Sequence, residues 1–293
     1  MEFTWTVTDT GLSAKQFLGQ HGVSHRMFTQ LNQSNGQVLV NGVTAKPAVK
    51  VQPTDKVTLV VPVEPADPEV PVSIEPLEIV SEDANTLVVL KPAGLTSVPG
   101  PSNRTDTLVN RVKGHLAAAG DQNLVPHVIT RLDRDTSGLV LIAKHRLANS
   151  WLNQQLADHR LKKRYLAIVS GQLSQDHDLI DAPLKRSADG FDQIVAPDGK
   201  SAQTEYWVRE HSTNWTLVEV LLHTGRTHQI RAHFRSIGHP LLGDELYDGP
   251  RDLIRRQALH AYQLDYQDPV TGQTRHFEAE LPADMLKIIK SVG

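Results

Sequence analysis

The chain has 293 residues, enough for one large hydrophobic core and a small satellite domain. It contains no cysteine, which excludes disulfides, thiolate metal sites and cysteine nucleophiles, and its apolar runs fall far short of a membrane span. A formal net charge of −3 argues against a uniformly basic surface, so local basic clusters must set the field that a phosphate would feel.

The N-terminus, Met1-Glu2-Phe3-Thr4-Trp5, shows neither a basic head nor an apolar signal core, and a cytoplasmic protein is the expectation. Residues 1–62 read as a small α/β module. Ser13 is placed to cap a short helix that ends before Gly22. Ser24 is placed to cap a second helix with Met27, Phe28 and Leu31 on one face. Residues 36–42 alternate like a strand and close in the Asn41-Gly42 turn, and 57–61 form another strand. Residues 63–73 are dense in proline and acid and read as an extended, semi-stiff linker.

From 74 to 293 the chain is strand-rich. Strands are expected over 86–90, 139–144, 165–170, 203–209 and 215–222, with 127–131 extended. Helices are expected over 107–119, 146–158 and 227–236, the last ended by Gly238. Strands beside strands with irregularly placed helices predict an α+β catalytic domain built on a mixed, mostly antiparallel sheet. Basic residues gather at 144–146, at 160–164 and between Arg226 and Arg235.

Two segments carry the chemistry. Arg131-Leu132-Asp133-Arg134-Asp135-Thr136-Ser137-Gly138 sets a carboxylate among arginines just ahead of an apolar strand. A carboxylate in a cationic setting stays ionised and can act as nucleophile or base. Alone, Asp133 and Asp135 also fit an ordinary turn. Thr224-Gly225-Arg226-Thr227-His228-Gln229-Ile230-Arg231-Ala232-His233 leaves a strand through glycine and opens a helix, which offers Arg231 as a cationic partner. His228 and His233 are five apart, a spacing that does not suit two metal ligands on one helical face. Neither a Walker loop nor a dinucleotide fingerprint is present, so no cofactor is expected. Tyr165 opens a strand, where it fits either a half-buried core aromatic or a residue that stacks on a base or moves a proton.

Together with Lys163-Arg164-Tyr165-Leu166-Ala167, these segments resemble the three motifs of the RluA-type pseudouridine synthases, in the same order and separation. Lys91-Pro92-Ala93-Gly94, Leu242-Gly243-Asp244 and Leu259-His260-Ala261 are similar to further landmarks of that family. Residues 12–62 resemble the small S4-type RNA-binding domain, although with fewer basic residues on the helices. The resemblance implies that Asp133, Tyr165 and Arg231 are catalytic, with Tyr165 the acceptor of a late proton and Arg231 the partner of Asp133. It implies RNA contacts from Arg131, Arg134, Lys162, Lys163, Arg226, His228 and Gln229. Thr130 stands where many members carry histidine. The expected partner is RNA, with large-subunit ribosomal RNA favoured and transfer RNA possible. No membrane, metal or cofactor is expected, and the chain should act as a monomer. Two alternatives remain at this point: an inactive RNA-binding or ribosome-assembly protein on the same fold, and a metal-dependent hydrolase using Asp133, Asp135 and the histidines.

Overall fold

The computed structural model describes residues 1–101 and 103–290. The N-terminal module contains strand β1 (Glu2–Thr6), helices α1 (Ala14–Gln20) and α2 (His25–Gln33), and strands β2 (Gln37–Val40), β3 (Val43–Thr44) and β4 (Lys56–Val60). Its antiparallel sheet runs β1-β4-β2-β3. Ser13 caps α1 in a reciprocal capping box with Gln16, and Ser24 caps α2. Asn41 and Gly42 both take positive φ, 52° and 80°, the geometry of the tight turn that an Asn-Gly hairpin favours. Strand β1 was not anticipated. It exists because β4 offers a partner fifty-odd residues away, pairing Glu2 with Val60.

The remainder contains β5 (Glu78–Glu82), β6 (Thr86–Lys91), α3 (Leu108–Ala118), β7 (His127–Val128), β8 (Ser137–Ala143), α4 (Arg146–Ala157) and β9 (Lys162–Ser170). Then come β10 (His177–Asp181), β11 (Leu184–Arg186), β12 (Gln193–Val195), β13 (Gln203–His211), β14 (Trp215–Leu222) and α5 (Gln229–Ser236). A short 3-10 turn (Glu245–Tyr247), β15 (Leu259–Gln267), β16 (Thr274–Glu278) and α6 (Ala283–Lys290) complete the chain. One large sheet follows the order β10-β13-β14-β9-β15-β8-β6-β5, with β16 added to β15 and β7 to β8. All its pairings are antiparallel except β15 with β8. This is the mixed, mostly antiparallel α+β sheet that the pattern predicted. No helix among the described residues is long and apolar enough to cross a membrane.

The one parallel contact positions the site. At the start of β8, Gly138 has φ +124° and lies against Ala261 of β15, where an added Cβ would fall 2.3 Å from the Ala261 carbonyl oxygen. Only glycine admits that approach. It sets the 131–136 loop at the start of β8, with β15 between it and β9.

The segment from 63 to 73 holds no helix or strand, as its prolines dictate, but it is not a free linker. Glu64 is buried and pairs with His127 at 2.9 Å and Arg146 at 3.0 Å. Lys113 donates to the carbonyls of Asp67 and Val70, and Asn110 donates to that of Pro71. The segment is a strap fastened to α3 and α4. Sequence composition showed its stiffness but not its partners. The N-terminal module also shares a core with the rest: Phe17, Leu18, Met27 and Phe28 pack in one cluster with Leu147, Trp151, Leu152 and Tyr266. Trp151 Nε1 donates to the His21 carbonyl at 2.7 Å.

Two buried histidines make this core acid-sensitive. Burial pushes His145 and His260 down to about 4. Nε2 of His145 faces the Asn85 side-chain oxygen and its Nδ1 accepts from the Ala148 N–H as the α4 cap, so a second proton on that ring would meet a donor. Nδ1 of His260 meets Ser137 Oγ, and burial outweighs the groups that would favour its charged form. A histidine with a lowered folded pKa binds fewer protons than the unfolded chain between pH 4 and its ordinary 6.5, so stability is lost as pH drops through that window. The depressed carboxyl of Glu64 extends the loss below its ordinary 4.5: burial opposes its ionisation, but His127 and Arg146 outweigh that cost. Two such groups shift the balance by about 3 kcal/mol between pH 6.5 and 5, which lowers Tm by about 7 °C. Thermal melts at pH 7 and pH 5 check this, and an unchanged Tm contradicts it.

Candidate active site

The 131–136 loop is anchored through its backbone. Ser97 Oγ donates to the Leu132 carbonyl at 2.6 Å, and Arg256 donates to the Asp135 carbonyl at 3.3 Å. Lys91, fully buried at the end of β6, donates from Nζ to the carbonyls of Pro92, Leu95 and Arg134 at 2.9, 2.7 and 2.9 Å. Burial lowers its pKa to about 7, against the pull of Asp135 and Asp133. Three carbonyl acceptors match the three donors of the ammonium form and favour it. These anchors leave the Asp133 side chain unburdened, 29% exposed at the floor of an open cavity of about 580 Å³. That volume suits a nucleoside-sized ligand.

Helix α5 brings Arg231 across 98 residues of sequence to Asp133, Nη1 donating to Oδ2 at 3.1 Å. The rest of the guanidinium faces elsewhere. Nε and Nη2 donate to the two oxygens of Asp244 at 2.7 and 2.8 Å. The two-pronged pair that an arginine and carboxylate can form is therefore made with Asp244, not with Asp133. The Tyr247 ring lies beneath the guanidinium at 4.9 Å. The helix begins two residues later than expected because His228 takes φ 52°, outside helical geometry. His228 Nδ1 meets the Tyr247 hydroxyl at 3.1 Å, and its Nε2 lies 3.9 Å from Asp133. Burial lowers the His228 pKa despite Asp133, so the ring is neutral at neutral pH.

Tyr165 comes from β9. Side chains alternate along a strand, so Lys163, Tyr165 and Ala167 face the cavity side while Lys162, Arg164 and Leu166 face the other. Lys163 lines the cavity and Lys162 does not. The two lysines expected to contact RNA thus point to opposite faces of the sheet. Lys163 is half-buried with no carboxylate partner among the described residues, and burial lowers its pKa. Burial and the charge of Asp133 raise the Tyr165 hydroxyl above its ordinary value. It is therefore a phenol at rest and not a ready base.

The other expected RNA contacts divide. Arg131 and Arg226 line the cavity and have no carboxylate partner among the described residues, although Arg226 Nε donates to the Ser201 carbonyl. Arg134 sits at the rim with its guanidinium on Asp135 at 2.9 Å. Gln229 is consumed by the protein. Its Oε1 accepts from Thr224 and Arg226, and its Nε2 donates to Gln203 and Thr204, leaving no capacity for RNA. Its role is to hold the turn that starts α5. His233 is buried between Thr204 and the Ala182 carbonyl, and His223 pairs with Glu205. Among the described residues no three His, Asp or Glu side chains gather to hold a metal ion. Sequence reasoning missed Asp244, Tyr247 and Lys91 as members of the site. The first and last stood out only as family landmarks, and no local pattern reveals their contacts.

Comparison with known proteins fits this geometry. Residues 85–236 match the RNA pseudouridylate synthase family. The chain is 38% identical over 282 residues to an RNA pseudouridine synthase of Bacillus subtilis, YjbO, covering 95% of this chain and 99% of that one. It is 41% identical over 261 residues to ribosomal large subunit pseudouridine synthase D of Zymomonas mobilis, covering 83% and 81%. Human RNA pseudouridylate synthase domain containing 4 shares the fold with a TM-score of 0.59 at 22% identity, over 73% of this chain and 92% of that one. With its cavity, its Asp133–Arg231 pair and a match over nearly the whole length of a relative, the chain belongs to the RNA pseudouridine synthase family and is an isomerase of RNA.

Proposed function

We propose that Asp133 is the reacting carboxylate in an isomerisation of uridine to pseudouridine, and that large-subunit ribosomal RNA is the substrate. One observation carries the first part: a carboxylate held at a single oxygen by Arg231, at the floor of a nucleoside-sized cavity. The target base leaves its stack, at a cost of a few kcal/mol. Arg131, Lys163 and Arg226, cavity cations without carboxylate partners among the described residues, attract the flanking phosphates. Asp133 acts on the nucleoside, the N1–C1′ bond breaks, the ring turns, and a C5–C1′ bond forms. N1 gains a proton and C5 loses one. Burial and the charge of Asp133 hold the Tyr165 hydroxyl protonated, so if it takes the proton leaving C5 it must pass on its own hydrogen in the same step. Nothing in this sequence needs an oxidant, a group donor or a metal.

The ribosomal substrate is supported by relatives named ribosomal large subunit pseudouridine synthase D in Zymomonas mobilis and Nitrosomonas europaea. We read residues 1–62 as an S4-type module that adds RNA contacts, docked on α4 through the shared core. Purified protein incubated with large-subunit ribosomal RNA and with transfer RNA, each scored for pseudouridine, tests the assignment. Product in the ribosomal RNA is expected, and product only in transfer RNA overturns the substrate.

A further inference from the structure

We propose that Asp244 is a positioning residue: it locks the fork of Arg231 and takes up part of its charge, so that Asp133 is held at one oxygen and keeps the other free to react. This rests on Asp133 being the reacting carboxylate. Arginine and a single aspartate would pair two-on-two, occupying both carboxylate oxygens. Here Asp244 takes Nε and Nη2, and only Nη1 remains for Asp133 Oδ2. Among the described residues Asp133 Oδ1 has no hydrogen bond to the protein. The division follows burial: Asp244 is 1% exposed and Asp133 29%, so the solvent-excluded acid holds the fork and the open acid meets substrate.

The fold fixes Asp244 rigidly. Gly243 has φ +76°, and a Cβ there would fall 2.0 Å from the Arg256 carbonyl oxygen. A Cβ on Gly249 would fall 1.9 Å from that of Leu241. The backbone N–H groups of Tyr247 and Gly249 close the turn onto the Asp244 carbonyl at 3.2 and 2.8 Å. Tyr247 supports the guanidinium from below and accepts the Gln193 N–H from the β11–β12 hairpin at 2.8 Å.

The test compares Asp244→Asn, Asp244→Glu and Asp133→Asn for kcat, KM and the acid limb of the kcat profile. The groups facing Asp133 are Arg231 from α5, His228 just ahead of it, Lys91 from β6 and Tyr165 from β9. Asp244→Asn leaves the whole guanidinium charge to Asp133 and removes a negative neighbour of His228, and both changes move the limb the same way. The expected result is a kcat about 100-fold lower with KM nearly unchanged, and an acid limb about one unit lower in pH. Asp244→Glu keeps the charge but displaces the fork, so the limb stays and kcat falls about tenfold. Wild-type kcat in either variant, or a loss in Asp244→Asn with an unmoved limb, overturns the proposal. Should Asp244→Asn not fold, Asp244→Glu decides alone. Turnover by Asp133→Asn overturns the underlying reading instead, whereas a dead Asp133→Asn beside a normal Asp244→Asn overturns this inference only.

Discussion

Replacing Asp133 with asparagine leaves a folded protein that binds RNA and forms no pseudouridine. The change is isosteric, and the asparagine carbonyl can still accept from Arg231 Nη1, the one bond that Asp133 makes to that residue. The loop does not depend on the side chain. Its anchors are the carbonyls of Leu132, Arg134 and Asp135 and the turn bond from Thr136 N to the Asp133 carbonyl. The cavity cations, Arg131, Lys163 and Arg226, are untouched, so affinity for RNA should stay within a few-fold of wild type. An amide lacks the negative charge that both addition and proton transfer require. The expected loss is about 10⁴-fold or more in turnover, the scale on which removing a reacting group is felt. Release of tritium from RNA labelled at uridine C5 measures this directly, because that hydrogen must leave. Release within about tenfold of wild type would show that another group does the chemistry.

What the sequence revealed, and what it withheld, follows from the range of each interaction. Ser13 and Ser24 cap their helices through residues three positions away, so local reading found them. Strand β14 emerged with its observed ends because an apolar run between a turn and a polar exit has few other readings. By contrast β1, the β11–β12 hairpin and β16 are short and polar or half-exposed, and exist through the partners they meet. The site shows the same division. Residue types placed Asp133, Tyr165 and Arg231 in one argument through their motifs. Which acid receives the fork of Arg231 is a matter of burial in the finished fold, and no spacing encodes it. Lys162 and Lys163 are equivalent as letters and opposed as side chains. Gln229 sits in the middle of a catalytic-looking segment, yet its amide is spent on holding the segment's own turn.

Arg231→Lys should fold and should not work. The three donors of Nζ could in principle reach two carboxylates, but an ammonium is a point charge without a planar fork. Asp244, almost wholly buried, has the greater cost of standing unpaired and will claim it. Asp133 then loses its cation while keeping its place in the loop. A kcat about 10³-fold lower is expected, comparable to removing a preorganised donor from the charge it stabilises. The loss of one charge-assisted bond costs about 2 kcal/mol, or about 5 °C in Tm, far from enough to unfold the chain. Methionine at the same position is a poorer probe, since it strands a buried carboxylate at a cost of about 3–5 kcal/mol. Near-normal kcat in Arg231→Lys, measured by tritium release beside a thermal melt, would mean that charge alone suffices and that the fork does not matter. A kcat loss that tracks the fraction unfolded would assign Arg231 to stability. The arrangement seen here, one arginine divided between a sealed aspartate and an open one, predicts a folded protein with its chemistry removed.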